Sequence, residues 1–209
     1  MSVIKANGAG EQSTGFYNNV VTKSLRFDSA NSAHLTRTPS SAGNTRTFTF
    51  SAWFKKTRIY TSIASSQFNP ILSAGDGASD FGLLSFSGQA QGASSDTVNE
   101  VIYYDYDAGA DYSLELNRSF GDSTSWFHFM FAVDTTDGTQ ANRIKYYVNG
   151  ELQTTNTNAH HGAFPQNRET SYNRTDEHMI GKWFNQGGVP TFDGYMAEIN
   201  FVDGTQLDA

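Results

Sequence analysis

The segment from Trp126 to Leu152 constrains the fold most, because it contains two strand patterns and a turn signal in close succession. Its first part, through Val133, places bulky apolar side chains on both faces, which is typical of a strand inside a large sheet or sandwich. The second part, Arg143 to Val148, alternates again and meets Asn149-Gly150. Both turn residues tolerate the positive φ angles of a type I′ turn, so the chain is predicted to return antiparallel from Glu151.

The composition indicates a single all-β domain. Aromatic residues make up 14% and charged residues 17% of the 209 residues, a balance that suits pleated, half-buried strands better than helices. The net charge of −7 argues against nucleic acid as a partner, because phosphate backbones attract basic surfaces. Cysteine is absent, which excludes disulfides and thiolate chemistry. No apolar run reaches about 18 residues, so no membrane insertion is expected.

Alternating apolar residues predict further strands on both sides of the first segment. Thr45 to Lys56 is predicted to be a central strand. Val98 to Tyr106 is predicted to form a hairpin with Tyr112 to Leu116. The short segments Ser24 to Asp28 and His34 to Arg37 are predicted to form a first hairpin.

The two ends of the chain differ in character. Residues 1–23 are predicted to form an extended arm, and residues 24–209 a single β-sandwich domain. Two interpretations of the arm stay open, a frayed terminus or a segment that docks on a neighbouring subunit.

The polar stretch from Asn156 to Asp176 is typical of a functional or disordered loop. In the closing strand, four apolar residues at alternate positions are expected to share one face: Tyr195, Ala197, Ile199 and Phe201.

The order of these signals resembles the concanavalin A-like lectin/glucanase superfamily, in particular its laminin-G and pentraxin-like branch. The residues that carry the resemblance are Ser24–Asp28, Phe48–Lys55, Trp126–His128, Tyr146–Leu152, Ile180–Gly181 and Phe192–Ile199. The resemblance implies a jelly-roll sandwich of two curved antiparallel sheets, with ligands on the concave face or on loops at its rim.

The closing segment from Asp193 to Asp208, together with the arm, is similar to domains of bacteriophage structural proteins on fibres, spikes or capsids. This similarity implies a virion protein that contacts other virion proteins and copies of itself. Repeated weak sugar contacts on one particle gain avidity, so a homo-oligomer is expected. Met1 to Gly15 lacks the apolar core of a secretory signal, so synthesis in the host cytoplasm is expected.

Two segments combine aromatic and polar residues in the way that sugar-binding sites do. The first contains Tyr103, Tyr104, Asp105, Tyr106 and Asp107, and the second contains Trp183 and Asn185. Aromatic rings stack on the apolar faces of sugars, while carboxylates and amides bind hydroxyl groups. The competing interpretation is that the strand tyrosines pack in the core and that the tryptophan anchors a loop.

Catalysis is not expected from this chain. Laminarinase-like members of the superfamily carry Glu-x-Asp-x-Glu on one strand, with the acid and the nucleophile about 5 to 5.5 Å apart. Asp105 and Asp107 are the nearest equivalent, and the full pattern is missing. A polysaccharide-degrading hydrolase therefore ranks below a binding protein.

A calcium site is a further expectation that follows from the resemblance, since laminin-G and pentraxin domains commonly bind Ca²⁺ through loop oxygens. The candidate ligands are Asp76, Asp80, Asp134 and Asp137. Asp and Gly also form turns without a metal, so both interpretations stay open.

The sequence thus predicts a lectin-like virion module that recognises cell-surface glycan. The alternative is an assembly or decoration subunit without glycan binding.

Overall fold

A computed structural model describes residues 23–60, 68–77, 80–87, 99–157, 163–183 and 191–209. These residues form two antiparallel sheets that pack face to face, which confirms the predicted jelly-roll sandwich. Within these ranges helix is limited to two short 3₁₀ segments, Ser29–Asn31 and Gln140–Asn142. No helix of the described part of the chain is long and apolar enough to cross a membrane. Nearly all of the predicted arm lies outside the described residues.

Within the described residues, thirteen strands build the two sheets. In chain order they are β1 (Leu25–Phe27), β2 (Leu35–Arg37), β3 (Thr47–Lys56), β4 (Phe68–Gly77), β5 (Asp80–Ser87), β6 (Glu100–Asp107), β7 (Ala110–Leu116), β8 (Phe127–Asp134), β9 (Ile144–Val148), β10 (Glu151–Leu152), β11 (Thr155–Thr157), β12 (Glu177–Ile180) and β13 (Gly194–Asp203). Sheet A has the order β1-β13-β3-β8-β9-β10, and sheet B has the order β11-β7-β6-β5-β4-β12-β2.

The strand that is apolar on both faces lies inside sheet A, as its sequence predicts. β8 pairs with β3 on one side and with β9 on the other. Phe129 and Phe131 point into the core, whereas Met130 packs on the outer face with Ala132 and Tyr147. The turn after β9 also follows the prediction, since Asn149 has a φ of 51° and Gly150 a φ of 83°.

Aromatic rings from both sheets fill the space between them. Phe54 of sheet A meets Phe86 of sheet B with ring centroids 5.8 Å apart. Tyr103 of sheet B meets Phe131 of sheet A at 4.9 Å. Burying a ring of this size contributes about 1.5–3 kcal/mol, so such contacts hold the sandwich closed.

The predicted first hairpin is wrong. β1 pairs with β13 at the edge of sheet A, and β2 pairs with β12 at the edge of sheet B. Asp28 caps the 3₁₀ segment between them by accepting a hydrogen bond from the Ala30 amide at 3.0 Å. Short alternating segments show which residues form strands, but they do not specify the partner of an edge strand.

The predicted common face of the closing strand is also wrong. β13 has an irregular register between Ala197 and Asn200, and Glu198 has a φ of 49°. This bulge reverses the alternation, so Tyr195 lies on the outer face while Phe201 stacks on the core residue Phe48.

The hairpin of β6 and β7 forms as predicted, with the turn at Ala108 and Gly109. Its strands lie between β5 and β11 in sheet B. This position places the predicted sugar-binding residues of β6 at the centre of a sheet, where alternate residues face opposite sides.

Candidate functional site

Alternation along β6 divides the predicted site into two groups. Tyr103 and Asp105 point into the sandwich, and each is completely buried. The Tyr103 ring stacks on Phe164 with centroids 4.9 Å apart. Tyr104 and Tyr106 point to the outer face of sheet B and stay partly exposed. The inward pair therefore belongs to the core, and only the outward tyrosines present rings to a ligand.

The outward tyrosines join an aromatic patch that consists of Phe68, Phe81, Tyr104, Tyr106 and Trp183. The Phe81 ring lies at its centre, 5.6 Å from Tyr104, 5.7 Å from Tyr106 and 5.7 Å from Trp183. Trp183, which follows β12, thus reaches the same surface as the β6 tyrosines. The structure brings together three of the residues that the sequence singled out.

Polar groups accompany the rings of the aromatic patch. The Tyr104 hydroxyl donates to the Asp111 carboxylate at 3.2 Å. Burial and this carboxylate raise the pKa of Tyr104, so its hydroxyl stays protonated at neutral pH. The Trp183 indole N–H is buried without a hydrogen-bond partner among the described residues. Such a donor is an energetic cost until an acceptor binds it.

The buried carboxylate of Asp105 is held by a loop arginine. It accepts hydrogen bonds from Arg168 Nη2 at 2.6 Å and Nε at 3.0 Å. The Tyr103 hydroxyl at 3.0 Å and the Ser171 amide at 3.2 Å complete its shell. Burial raises the pKa of Asp105, and the Arg168 guanidinium opposes this rise. These four bonds satisfy a charge that would otherwise be costly to bury.

A second arginine extends this ion-pair network. Arg174 forms an ion pair with Asp80, and Arg168 lies 3.6 Å from the Asp107 carboxylate. The two arginines come from the predicted polar loop, so the network fastens that loop to the end of sheet B. The sequence analysis did not predict a role for either arginine. The feature that could have identified them is their positive charge, which is opposite to that of the acidic β6–β7 hairpin. Asp80, Asp105 and Asp107 are thereby engaged by cations of the protein itself.

The predicted calcium ligands do not form a cluster in the described part of the chain. Asp76 is exposed on β4. Asp134 accepts hydrogen bonds from Thr136, and Asp137 accepts one from the Thr139 amide at 2.6 Å, which are bonds of local turns. Among the described residues, no group of three or more metal-ligating side chains is placed to hold an ion. Asn185 lies outside the described residues, and the calcium site stays a prediction.

Solved structures of a laminin protein and of a sialidase module have a similar fold. Mouse laminin alpha1 domains LG4-5 share 12% identity at a TM-score of 0.54, covering 90% of this chain and 44% of that chain. The CBM40 module of the Ruminococcus gnavus IT-sialidase shares 17% identity at a TM-score of 0.50. This match covers 83% of this chain and 94% of that chain. A comparison with curated protein sequences gives no match.

The family model for the laminin-G type of the concanavalin A-like lectin/glucanases superfamily matches residues 28–207. The match spans the sandwich from the end of β1 to the segment after β13, so it covers both sheets. The chain therefore belongs to the concanavalin A-like lectin/glucanases superfamily.

Proposed function

We propose that this protein is a non-enzymatic module that binds cell-surface glycan on a bacteriophage tail fibre, spike or capsid appendage. The observation that carries the proposal is the aromatic patch on the outer face of sheet B. Tyr104, Tyr106 and Trp183 there present partly exposed rings around Phe81. The fold that this chain shares with a CBM40 module supports a binding role.

The patch has the two chemical components of a sugar site. Pyranose rings stack on tyrosine and tryptophan faces, which removes apolar area of both partners from water. Asp111, bonded to Tyr104, supplies carboxylate oxygens for sugar hydroxyls. A surface patch of this kind binds weakly at one site, so repetition on a particle adds avidity.

The carboxylates support binding rather than hydrolysis. A glycosidase needs two carboxyl groups that reach the sugar, one as acid and one as base or nucleophile. Asp105 is completely buried, and Arg168 and Arg174 lie 3.6 Å and 3.9 Å from Asp107. A buried carboxylate and an ion-paired one therefore favour a binding role over hydrolysis.

A glycan array probed with the assembled protein tests the proposal. Tyr106→Ala is expected to lower binding about tenfold, since stacking on one ring contributes about 1 kcal/mol or more. Tyr195→Ala is the matched control, because Tyr195 is a partly buried tyrosine on the outer face of sheet A. Equal loss in both variants, or no retention of the unmodified protein by any glycan, contradicts the proposal.

The virion location rests on the similarity of the closing segment to phage structural domains. Antibody labelling of purified particles tests it, and the expected result is a regular label on tails or capsids. Label that remains in the lysate after the particles are removed contradicts this part of the proposal and leaves the glycan test unaffected.

A second candidate is an assembly or decoration subunit. Exposed apolar side chains on the outer face of sheet A favour it, since Trp126 is 39% exposed and Leu152 is 60% exposed. Large apolar side chains of this kind are enriched in protein interfaces. Trp126→Ala that abolishes incorporation into particles while glycan binding persists favours this candidate, and normal incorporation removes its support.

A further inference from the structure

A cavity of about 250 Å³ opens at the edge of the sandwich, between the two sheets. Sheet B contributes Leu114 and Thr155 to its wall, and sheet A contributes Ile144. Gln140, Ala141, Arg143 and the loop residue Phe164 complete the lining. Pockets for drug-sized molecules have roughly 300–1,000 Å³, so this cavity suits a ligand of one ring.

The floor and the rim of the cavity differ in polarity. Leu114, Ile144 and Phe164 are buried and give it an apolar floor. Gln140 and Thr155 are exposed at its rim, and within the described part of the chain neither side chain has a hydrogen bond. An apolar floor beneath amide and hydroxyl groups matches a sugar ring, which has apolar faces and a polar edge.

Arg143 gives the cavity a positive charge. Its guanidinium donates to three backbone carbonyls, those of Asp137 at 2.9 Å, Phe164 at 2.8 Å and Gly138 at 3.3 Å. None of these partners is a carboxylate, and the described residues place no carboxylate within ion-pair distance of this guanidinium. A guanidinium has five N–H donors, so the described residues leave two of them unused. An arginine fixed in this way is preorganised to bind an anion.

We propose that this cavity binds a sugar that carries a carboxylate, with the Arg143 guanidinium on the carboxylate and the ring over Leu114 and Phe164. The site is separate from the aromatic patch. Leu114 points into the core beside Tyr103, whereas Tyr104 and Tyr106 lie on the opposite face of sheet B. No residue of the aromatic patch lines the cavity, so this inference goes beyond the proposed function.

Calorimetric titration with sodium glucuronate, and with glucose as the neutral counterpart, tests this inference. The unmodified protein is expected to bind glucuronate at least about tenfold more tightly than glucose, because a charge-assisted hydrogen bond is worth about 1.5–3 kcal/mol. An acetate titration shows whether the carboxylate alone is enough, and its expected affinity is lower than that of glucuronate. Equal affinity for glucuronate and glucose, or for glucuronate and acetate, overturns the inference.

Two variants locate the binding. Arg143→Met is expected to reduce the affinity for glucuronate to that for glucose. Arg118→Met is its control, because Arg118 is an exposed arginine that does not line the cavity. Since Arg143 also ties three loop carbonyls, Ala141→Trp provides a second variant that fills the cavity and leaves those bonds intact. Unchanged glucuronate binding by Ala141→Trp overturns the inference. Tyr106→Ala is expected to keep glucuronate binding, which separates this site from the aromatic patch.

Discussion

Lys56 is an unusual member of the core, because it is a lysine among buried aromatic side chains. Lys56 is the last residue of β3, and its side chain is completely buried. The Nζ atom donates to the Phe120 carbonyl at 3.0 Å and to Asn99 Oδ1 at 3.3 Å, and it lies 4.5 Å from the Phe86 ring centroid. Burial lowers the pKa of Lys56 from 10.5 to about 7. The folded protein therefore holds this amine mostly neutral in mildly alkaline solution.

This pKa predicts that stability rises with pH. Between pH 7 and 9 the unfolded chain binds a proton at Lys56 that the folded chain has released, so raising the pH favours folding. The slope is at most about 1.4 kcal/mol per pH unit. Urea unfolding at several pH values is expected to show this slope in the unmodified protein and in Lys55→Met, and to lose it in Lys56→Met. An unchanged slope in Lys56→Met contradicts the prediction.

The ion pair between Asp105 and Arg168 predicts a large stability effect. Arg168→Met leaves the Asp105 carboxylate buried without its cation, which costs about 3–5 kcal/mol of unfolding free energy. Adding Asp105→Asn is expected to recover part of this loss, because the amide oxygen still accepts from Tyr103 and Ser171 without a buried charge. Denaturant unfolding measures both variants. A double variant less stable than Arg168→Met alone contradicts this explanation.

The turn between β9 and β10 predicts that alanine substitutions at two glycines, Gly150 and Gly138, have different effects on stability. A Cβ atom at Gly150 or at Gly138 meets no atom within 4 Å. Gly150 has a φ of 83°, so Gly150→Ala is expected to cost about 1–2 kcal/mol, whereas Gly138→Ala, without a positive φ, is expected to be neutral or slightly stabilising. Urea unfolding distinguishes the two. Equal effects show that the turn does not determine the cost.

Most strands of this fold follow from the sequence, because period-two alternation reports burial directly. β3, β6, β7, β8 and β9 appear where alternation predicts them. The pairing of β1 and β2 does not follow, since a three-residue strand carries too little pattern to specify its sheet. The bulge at Glu198 also escapes, because an extra residue reverses the faces without changing the composition.

The candidate site was predictable only in part, for a related reason. Alternation along β6 separates Tyr103 and Asp105 from Tyr104 and Tyr106, but it does not say which face meets the other sheet. Apolar and aromatic residues occur on both faces of β5, its neighbour, so composition does not decide the orientation. Arg168 also lies 63 positions from Asp105, and no local pattern links the two.

The C-terminal segment after β13 packs across the outer face of sheet A. The Thr49 hydroxyl donates to the Thr205 carbonyl at 2.7 Å and accepts from the Leu207 amide at 2.9 Å. The Gln206 side chain donates to the Asn142 carbonyl at 2.7 Å. The Tyr147 hydroxyl donates to Asp208 at 2.7 Å. The segment thus joins strands that are far apart in the sequence.

Removal of residues 205–209 is expected to lower the free energy of unfolding by about 2–4 kcal/mol. Three of the lost hydrogen bonds involve backbone groups, and each contributes about 0.5–1.5 kcal/mol. Truncation also removes the residue that covers the Tyr147 hydroxyl, so increased binding of a hydrophobic dye to this face is expected. Asp208→Asn is the matched control, and its effect is expected to be small because the Asp208 side chain is 74% exposed.

A spectroscopic titration provides an independent measurement of the same packing. Burial and the neighbouring Asp208 raise the pKa of Tyr147 to about 12. When the segment is removed, both causes weaken, so the pKa of Tyr147 is expected to fall towards the ordinary tyrosine value of about 10. Tyr147→Phe in the truncated chain identifies the tyrosine that moves. A truncated protein that keeps both its stability and its original tyrosine titration shows that the segment does not stabilise sheet A.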